Sequence, residues 1–359
     1  MARGSSRGGV KASIKSKLYS DVAIIAQTIR FIDGVVPGFF KFGVPLLVAV
    51  YLARGVANGV FTPHSIAYIV DGFKENDGGR VNLGVGLLLS TAVILVVTEF
   101  AQMAFFKKLS RAIVSLKQRL TWLVKTKQLK DNPEDLVGKI SSDVDFIVWN
   151  TNAFLTTLLP NLFTATTALY SVFSFDRIIG VLATLTLVPY ALYAELYSRR
   201  IEKYRSLERE TYAESIVQIR NIVYGDISSS EELEGVLKRW EHSVNKIMWM
   251  DRYYFALSFT TSFTSVAVVA LLGAERVREK AIGVGSLAGI IYATLTAHFG
   301  MLNATWAFCI LGQTVATIKR ILNHLQLVGG KKTQNNSKSI IKPVFIIIKR
   351  PKSKTPTDH

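Results

Sequence analysis

The chain has 359 residues, 49% of them hydrophobic and only 19% charged, yet it carries 43 Lys and Arg against 26 Asp and Glu, a net charge of +17. A basic water-soluble domain would hold more than about a quarter charged residues, and a disordered basic chain would be far less apolar, so the same numbers exclude both classes. Membrane spans joined by basic loops satisfy both values, and the lone cysteine, Cys309, excludes an internal disulfide and a cysteine-based zinc cluster.

In chain order, residues 1–34 form a basic tail and an interfacial helix, and no cleavable signal peptide is evident in them. Leu18, Val22, Ile25, Ile29 and Ile32 recur at helical spacing, so Leu18–Val35 is expected to lie flat on the membrane surface behind Arg3, Arg7, Lys11, Lys15 and Lys17. Six apolar runs of spanning length follow, near Val35–Ala57, Val81–Phe106, Ile147–Phe173, Ile178–Tyr197, Tyr254–Gly273 and Ile282–Ile310. The first is interrupted by Pro37, Lys41, Pro45 and Arg54.

The basic residues order these runs. Residues 1–34, Lys107–Phe146, Ser198–Tyr253 and Leu311–His359 together hold 35 of the 43 Lys and Arg, whereas Asn58–Arg80, Ser174–Arg177 and Ala274–Ala281 together hold six. That asymmetry predicts a multi-pass plasma-membrane protein with both termini and two long loops in the cytoplasm. It also accounts for the net charge through membrane lipid and orientation, with no nucleic acid as a partner.

The two long loops, 107–146 and 198–253, read as helical hairpins. Leu109, Ile113, Leu116, Leu120 and Leu123 continue span two downward, Asn132-Pro133-Glu134-Asp135 marks a new helix start, and the chain returns to span three. Tyr197, Ile201, Tyr204 and Leu207 extend span four in the same way. After a turn at Gly225–Ser228, Ser229-Ser230-Glu231-Glu232 has capping-box spacing, and a stripe from Leu233 to Met248 leads into span five. The apolar stripes require partners, either one another in a stalk or, at the tips near Leu116–Gln128 and Ser215–Gly225, another protein.

Ser115-Leu116-Lys117-Gln118-Arg119-Leu120 followed by Gly138–Val144, Arg209-Glu210 through Glu214, Gly283-Val284-Gly285-Ser286-Leu287, and Gln313–Leu322 occur in the order and spacing of one known family. Over about residues 37–326 the chain resembles the transmembrane domain of ABC exporters. The resemblance implies an all-α fold of six transmembrane helices with two long cytoplasmic hairpins, contained in residues 35–327, that pairs with a second transmembrane domain as a homo- or heterodimer. It implies coupling to a nucleotide-binding ATPase subunit through Leu116, Arg119, Leu120, Trp122 and Leu123 in the first hairpin and Arg220 and Tyr224 in the second. Gly225–Ser230 departs from the family's more continuous helix, which leaves the position of the second coupling helix open.

No Gly-x-x-x-x-Gly-Lys-Ser/Thr string is present, so ATP and magnesium belong to the expected partner and no cofactor to this chain. Residues 328–359 read as a basic tail with one short strand at Lys342–Lys349, where either a separately encoded ATPase or a shortened exporter is implied. Polar groups at membrane depth give the cavity candidates Glu99, Glu195, His298 and Asn303. The competing readings are carboxylates already in water for the two glutamates and a hydrogen bond to a neighbouring helix for His298. With Gln313, the spacings of five and ten do not place His298 and Asn303 on one stripe, and Gly285 and Gly289 have close-packing spacing. The five histidines show no metal-binding pattern and no catalytic set is visible. Two other classes remain, a membrane anchor that recruits cytoplasmic proteins through its stalk and an ion-coupled carrier or channel, which would need charges at mid-membrane.

Overall fold

In the computed structural model the described residues are 43–127, 145, 149, 152–225 and 230–329, and the described side chains end at Cys309. The interfacial helix expected at Leu18–Val35, the turn at Asn132-Pro133, the return through Gly138–Val144 and the tail strand lie outside them. Every regular element among the described residues is a helix. These are α1 (Val44–Val56), a π-helical turn (Ala57–Phe61), α2 (Thr62–Glu75), α3 (Gly78–Lys127), a second π-helical turn (Phe154–Leu158), α4 (Leu159–Phe175), α5 (Arg177–Leu185), α6 (Val188–Val223), α7 (Ser230–Arg278) and α8 (Val284–Gly329).

Five helical runs are long and apolar enough to cross a membrane: Val44–Glu75, Gly78–Arg111, Arg177–Val223, Glu231–Arg278 and Val284–Cys309. Six were expected from the sequence. The described part of the remaining run, Phe154–Phe175, is helical and uncharged, but Pro160, Asn161 and five threonines dilute it and it is not among the five. Leu83, Leu89, Val93, Val97, Phe100 and Met103 stand exposed along α3, a face that needs lipid rather than water.

One expectation is corrected. Asn58–Arg80 is not a loop: helix runs unbroken from Val44 to Glu75, and the chain reverses only at Asn76-Asp77, with Asn76 left-handed at φ 55°. Thr62-Pro63 looks like a break because proline lacks an N–H and its ring collides with the carbonyl four residues earlier. The π-turn at Ala57–Phe61 opens the helix ahead of that ring, and the freed Gly59 carbonyl accepts a 2.6 Å hydrogen bond from Ser171 on α4. Pro160 likewise follows the second π-turn, and Pro189 follows the break at Thr186-Leu187 between α5 and α6.

The bundle is organised around α8, which packs on α4, α2, α7 and α6, while α1 joins α4 to α3. Small residues allow the approach. A Cβ on Gly59 would lie 2.2 Å from Thr167 Oγ1, and one on Gly285 would lie 2.3 Å from the Ala67 carbonyl. Gly285 and Gly289 therefore serve the close packing their spacing suggested. Beyond the bundle α3 is roughly 75 Å long and α6 roughly 54 Å, well over a hydrocarbon thickness of ~30 Å. The long extensions of α3, α6 and α7 leave the bundle on one side, and short turns close the other.

The two expected hairpins differ in how they are held. Ile201, Val236 and Ile247 are buried between α6 and α7, Arg239 reaches Glu214 at 2.8 Å, and Glu231 and Glu232 occupy the first turn of α7, while the expected capping residue Ser229 lies outside the described residues. In the first hairpin Lys117 Nζ meets Asp145 Oδ2 at 2.7 Å, joining the descending arm to the return.

On the short-turn side, Asp176 caps α5 by accepting from the Ile178 and Ile179 N–H groups at 2.8 and 3.0 Å, and its other oxygen meets Arg276 Nε of α7 at 2.9 Å. Burial alone would raise this carboxyl's pKa, but the backbone donors and the guanidinium outweigh it and hold it below the usual carboxylate range. A group depressed in this way stabilises the fold above its unfolded pKa, and that stability is lost as pH falls through the folded pKa. Asp176→Asn should thus lower stability by about 1–2 kcal/mol at neutral pH. In thermal unfolding in detergent, its difference from wild type should begin to shrink as pH falls below about 4, the unfolded carboxyl's pKa, and should vanish only once pH has fallen through the lower folded pKa.

Candidate functional site

The break between α5 and α6 brings polar groups together inside the apolar bundle. Thr186, at the end of α5, lies with its Oγ1 3.1 Å from His298 Nε2 on α8, and His298 Nδ1 lies 3.1 Å from the Tyr190 hydroxyl, one turn into α6. Tyr190 donates to the Ser258 carbonyl of α7 at 3.0 Å, and its oxygen is 2.5 Å from Ser262 Oγ. Each ring nitrogen thus faces a hydroxyl, and which of the two carries the proton sets the direction of both bonds, while Thr186 also donates to the Ala183 carbonyl at 2.8 Å. His298, Tyr190, Ser258 and Ser262 have no exposed surface. His298 is hence a joint between three helices, the hydrogen-bonded alternative to the cavity-lining reading.

The same seam continues toward the arms. Tyr193 pairs with Thr261 at 3.0 Å, Tyr254 bonds the Leu302 carbonyl and Thr305, and Tyr197 donates to Asp251. Tyr190, Tyr193 and Tyr197 follow one another at helical spacing on the α6 face turned to α7 and α8. Within this seam Ser258 Oγ and Thr294 Oγ1 are buried without a hydrogen-bond partner.

The other cavity candidates lie elsewhere. Glu99 is exposed on α3 and forms an ion pair with Arg54 of α1, beside a 2.9 Å hydrogen bond from Gln102 to Tyr51, so its charge is already matched. Glu195 is exposed on α6, and Asn303 is half-buried on α8. The cluster that exists was missed because its other members, Thr186, Tyr190, Ser258 and Ser262, are uncharged and distant in sequence. The only local signal was the Thr-Leu-Val-Pro break at 186–189.

Of the expected coupling residues, Leu116, Arg119, Leu120, Trp122 and Leu123 fall in the helical backbone of α3, with their side chains outside the described residues. Arg220 and Tyr224 lie at the far end of α6, the Arg220 guanidinium 5.6 Å from the centre of the Tyr224 ring. There Ile216, Val217, Ile219, Ile222, Val223 and Tyr224 are exposed, the last two at 75% and 73%, and Gly225 at φ 78° turns the chain away. Among the described residues no group of His, Cys, Asp and Glu is arranged to hold a metal.

The seam predicts a ranking. Tyr190→Phe strips the hydroxyl shared by α6, α7 and α8 and should cost about 1–3 kcal/mol in detergent unfolding, because His298 and Ser262 lose a buried partner. Tyr193→Phe loses one half-exposed contact and should cost under about 1 kcal/mol.

No protein-family model matches the chain, and no curated protein matches it.

Proposed function

We propose that the chain is the permease subunit of an ABC-type exporter: two transmembrane domains form the substrate pathway, and a separate nucleotide-binding ATPase drives it through the ends of the long arms. The observation that carries this reading is the apolar end of α6, where Ile216, Ile219, Val223 and Tyr224 are exposed far from the membrane-spanning part of the helix. Apolar side chains on several sides of a helix end in water call for a protein partner. The ordered sequence similarities to exporter transmembrane domains support the same conclusion.

In this reading the partner holds ATP and magnesium, and the arms, both termini and the excess of Lys and Arg lie in the cytoplasm of a plasma-membrane protein. Hydrolysis in the partner would move the arms as levers. The rival, an anchor that recruits a protein without ATPase activity, draws on the same exposed end and differs in what is bound.

A cysteine introduced at Tyr224 in a Cys309→Ser background, cross-linked in native membranes, should capture an ATPase. Reconstitution with the wild-type chain should change that protein's hydrolysis rate. Val223→Asp, exposed and thus compatible with folding, should weaken the coupling by about tenfold or more, as loss of a central interface anchor does. Capture of a protein that does not hydrolyse ATP, or of an ATPase whose rate ignores the chain, would contradict the exporter reading.

A further inference from the structure

The face of α3 that is exposed along the membrane continues into a cluster of cations. Val93, Val97 and Phe100 are exposed at 63%, 60% and 69%, and steps of four and three residues carry the same face through Ala104 and Lys107 to Arg111, with Lys108 beside them. All four of these residues are exposed. The helix is continuous here, so Phe106, the end of the apolar run, and Arg111 are separated by ~7.5 Å along its axis. That is about the thickness of one headgroup layer, the difference between a ~30 Å hydrocarbon core and a bilayer of ~40–45 Å, shared between two leaflets.

Along the sequence these cations lack acidic neighbours. No Asp or Glu occurs between Glu99 and Asp131, a stretch holding eight Lys and Arg, whereas Ser198–Tyr253 carries ten basic and ten acidic residues. Glu99 is engaged by Arg54, and Asp145 by Lys117. Among the described residues Lys107, Lys108 and Arg111 have no ion-pair partner. Salt-bridged arms such as α6–α7 have no comparable demand for an anion.

We infer that Lys107, Lys108 and Arg111 form a binding site for anionic phospholipid headgroups in the leaflet on the side of the long arms. The apolar face of α3 takes the acyl chains, and the three side chains meet the phosphate one to two turns beyond it. The inference requires α3 to span a bilayer and does not depend on the exporter reading. Its consequence is that α3 is held at a fixed depth by lipid charge while α6–α7 is not.

The test uses the full chain in nanodiscs of phosphatidylcholine with or without a minor fraction of phosphatidylglycerol, with spin-labelled lipids of both types. Wild type should associate preferentially with the phosphatidylglycerol label. Each of Lys107→Gln, Lys108→Gln and Arg111→Gln should lower that preference, by up to roughly fivefold per charge at low salt. The triple variant should abolish it, and Lys107→Arg with Lys108→Arg should retain it. Arg200→Gln with Lys203→Gln on α6, where acidic residues are interspersed, should leave it unchanged. The single variants keep the test informative should the triple variant not fold. Unchanged selectivity in the three single variants would overturn the inference. So would displacement of the labelled lipid by soluble glycerol phosphate, which marks a free-phosphate site, or equal loss in the α6 variant, which marks a diffuse effect of net charge.

Discussion

Hydroxyl groups donated across helices to main-chain carbonyls are the interaction on which this bundle depends. Ser65 bonds the Gly84 carbonyl at 2.6 Å, Thr167 the Gly55 carbonyl at 2.7 Å and Ser171 the Gly59 carbonyl at 2.6 Å. Tyr190 and Tyr254 do the same for Ser258 and Leu302 at 3.0 and 3.2 Å. In lipid there is no hydrophobic drive to bring two apolar helices together, so close packing and polar contacts must do it. Glycine serves both purposes in three of these five contacts, since the absent side chain lets the donor reach the carbonyl. The same chemistry accommodates Pro63 inside its helix, because the Gly59 carbonyl freed by the missing N–H accepts from Ser171 on the next helix.

This arrangement divides the molecule mechanically. α1, α2 and α4 are joined to one another and to α8 through glycine contacts too tight for a side chain, which favours a rigid seam. α6 and α7 join α8 through long tyrosine side chains and a histidine near the break at Thr186-Leu187, and α7 also through the close approach of Gly273 to Leu287. Long side chains can keep a bond through small rotations that a glycine contact would not survive.

The helical character, the arms and the existence of most spans were legible in the sequence because each rests on a local pattern: apolar runs, a 3.6-residue stripe, and the Ser229-Ser230-Glu231-Glu232 string, beside which α7 starts at Ser230. Gly285 and Gly289 were legible as packing for the same reason. The helix through Asn58–Glu75 was not legible, since the Gly59 carbonyl that Pro63 leaves free is satisfied by Ser171, more than a hundred residues away. The polar seam was hidden for a related reason. Tyr190 and Tyr254 look like membrane-compatible aromatics, and only the fold supplies the carbonyls they bond. Positive charge was read as orientation, whereas the lack of an ion-pair partner for Lys107, Lys108 and Arg111 among the described residues is a matter of three-dimensional pairing.

The most direct test of the account is a comparison of hydroxyl deletions by equilibrium unfolding in detergent. Thr166 and Ser171 are both on α4; Thr166 bonds only its own helix at Leu162, whereas Ser171 bonds the Gly59 carbonyl across the seam. Ser171→Ala should cost about 0.6–1.7 kcal/mol, the range for interhelical bonds in membranes, and Thr166→Val close to nothing. Equal costs for the two, or a stable Ser171→Ala protein, would contradict the claim that hydroxyl-to-carbonyl bonds between helices hold this fold together.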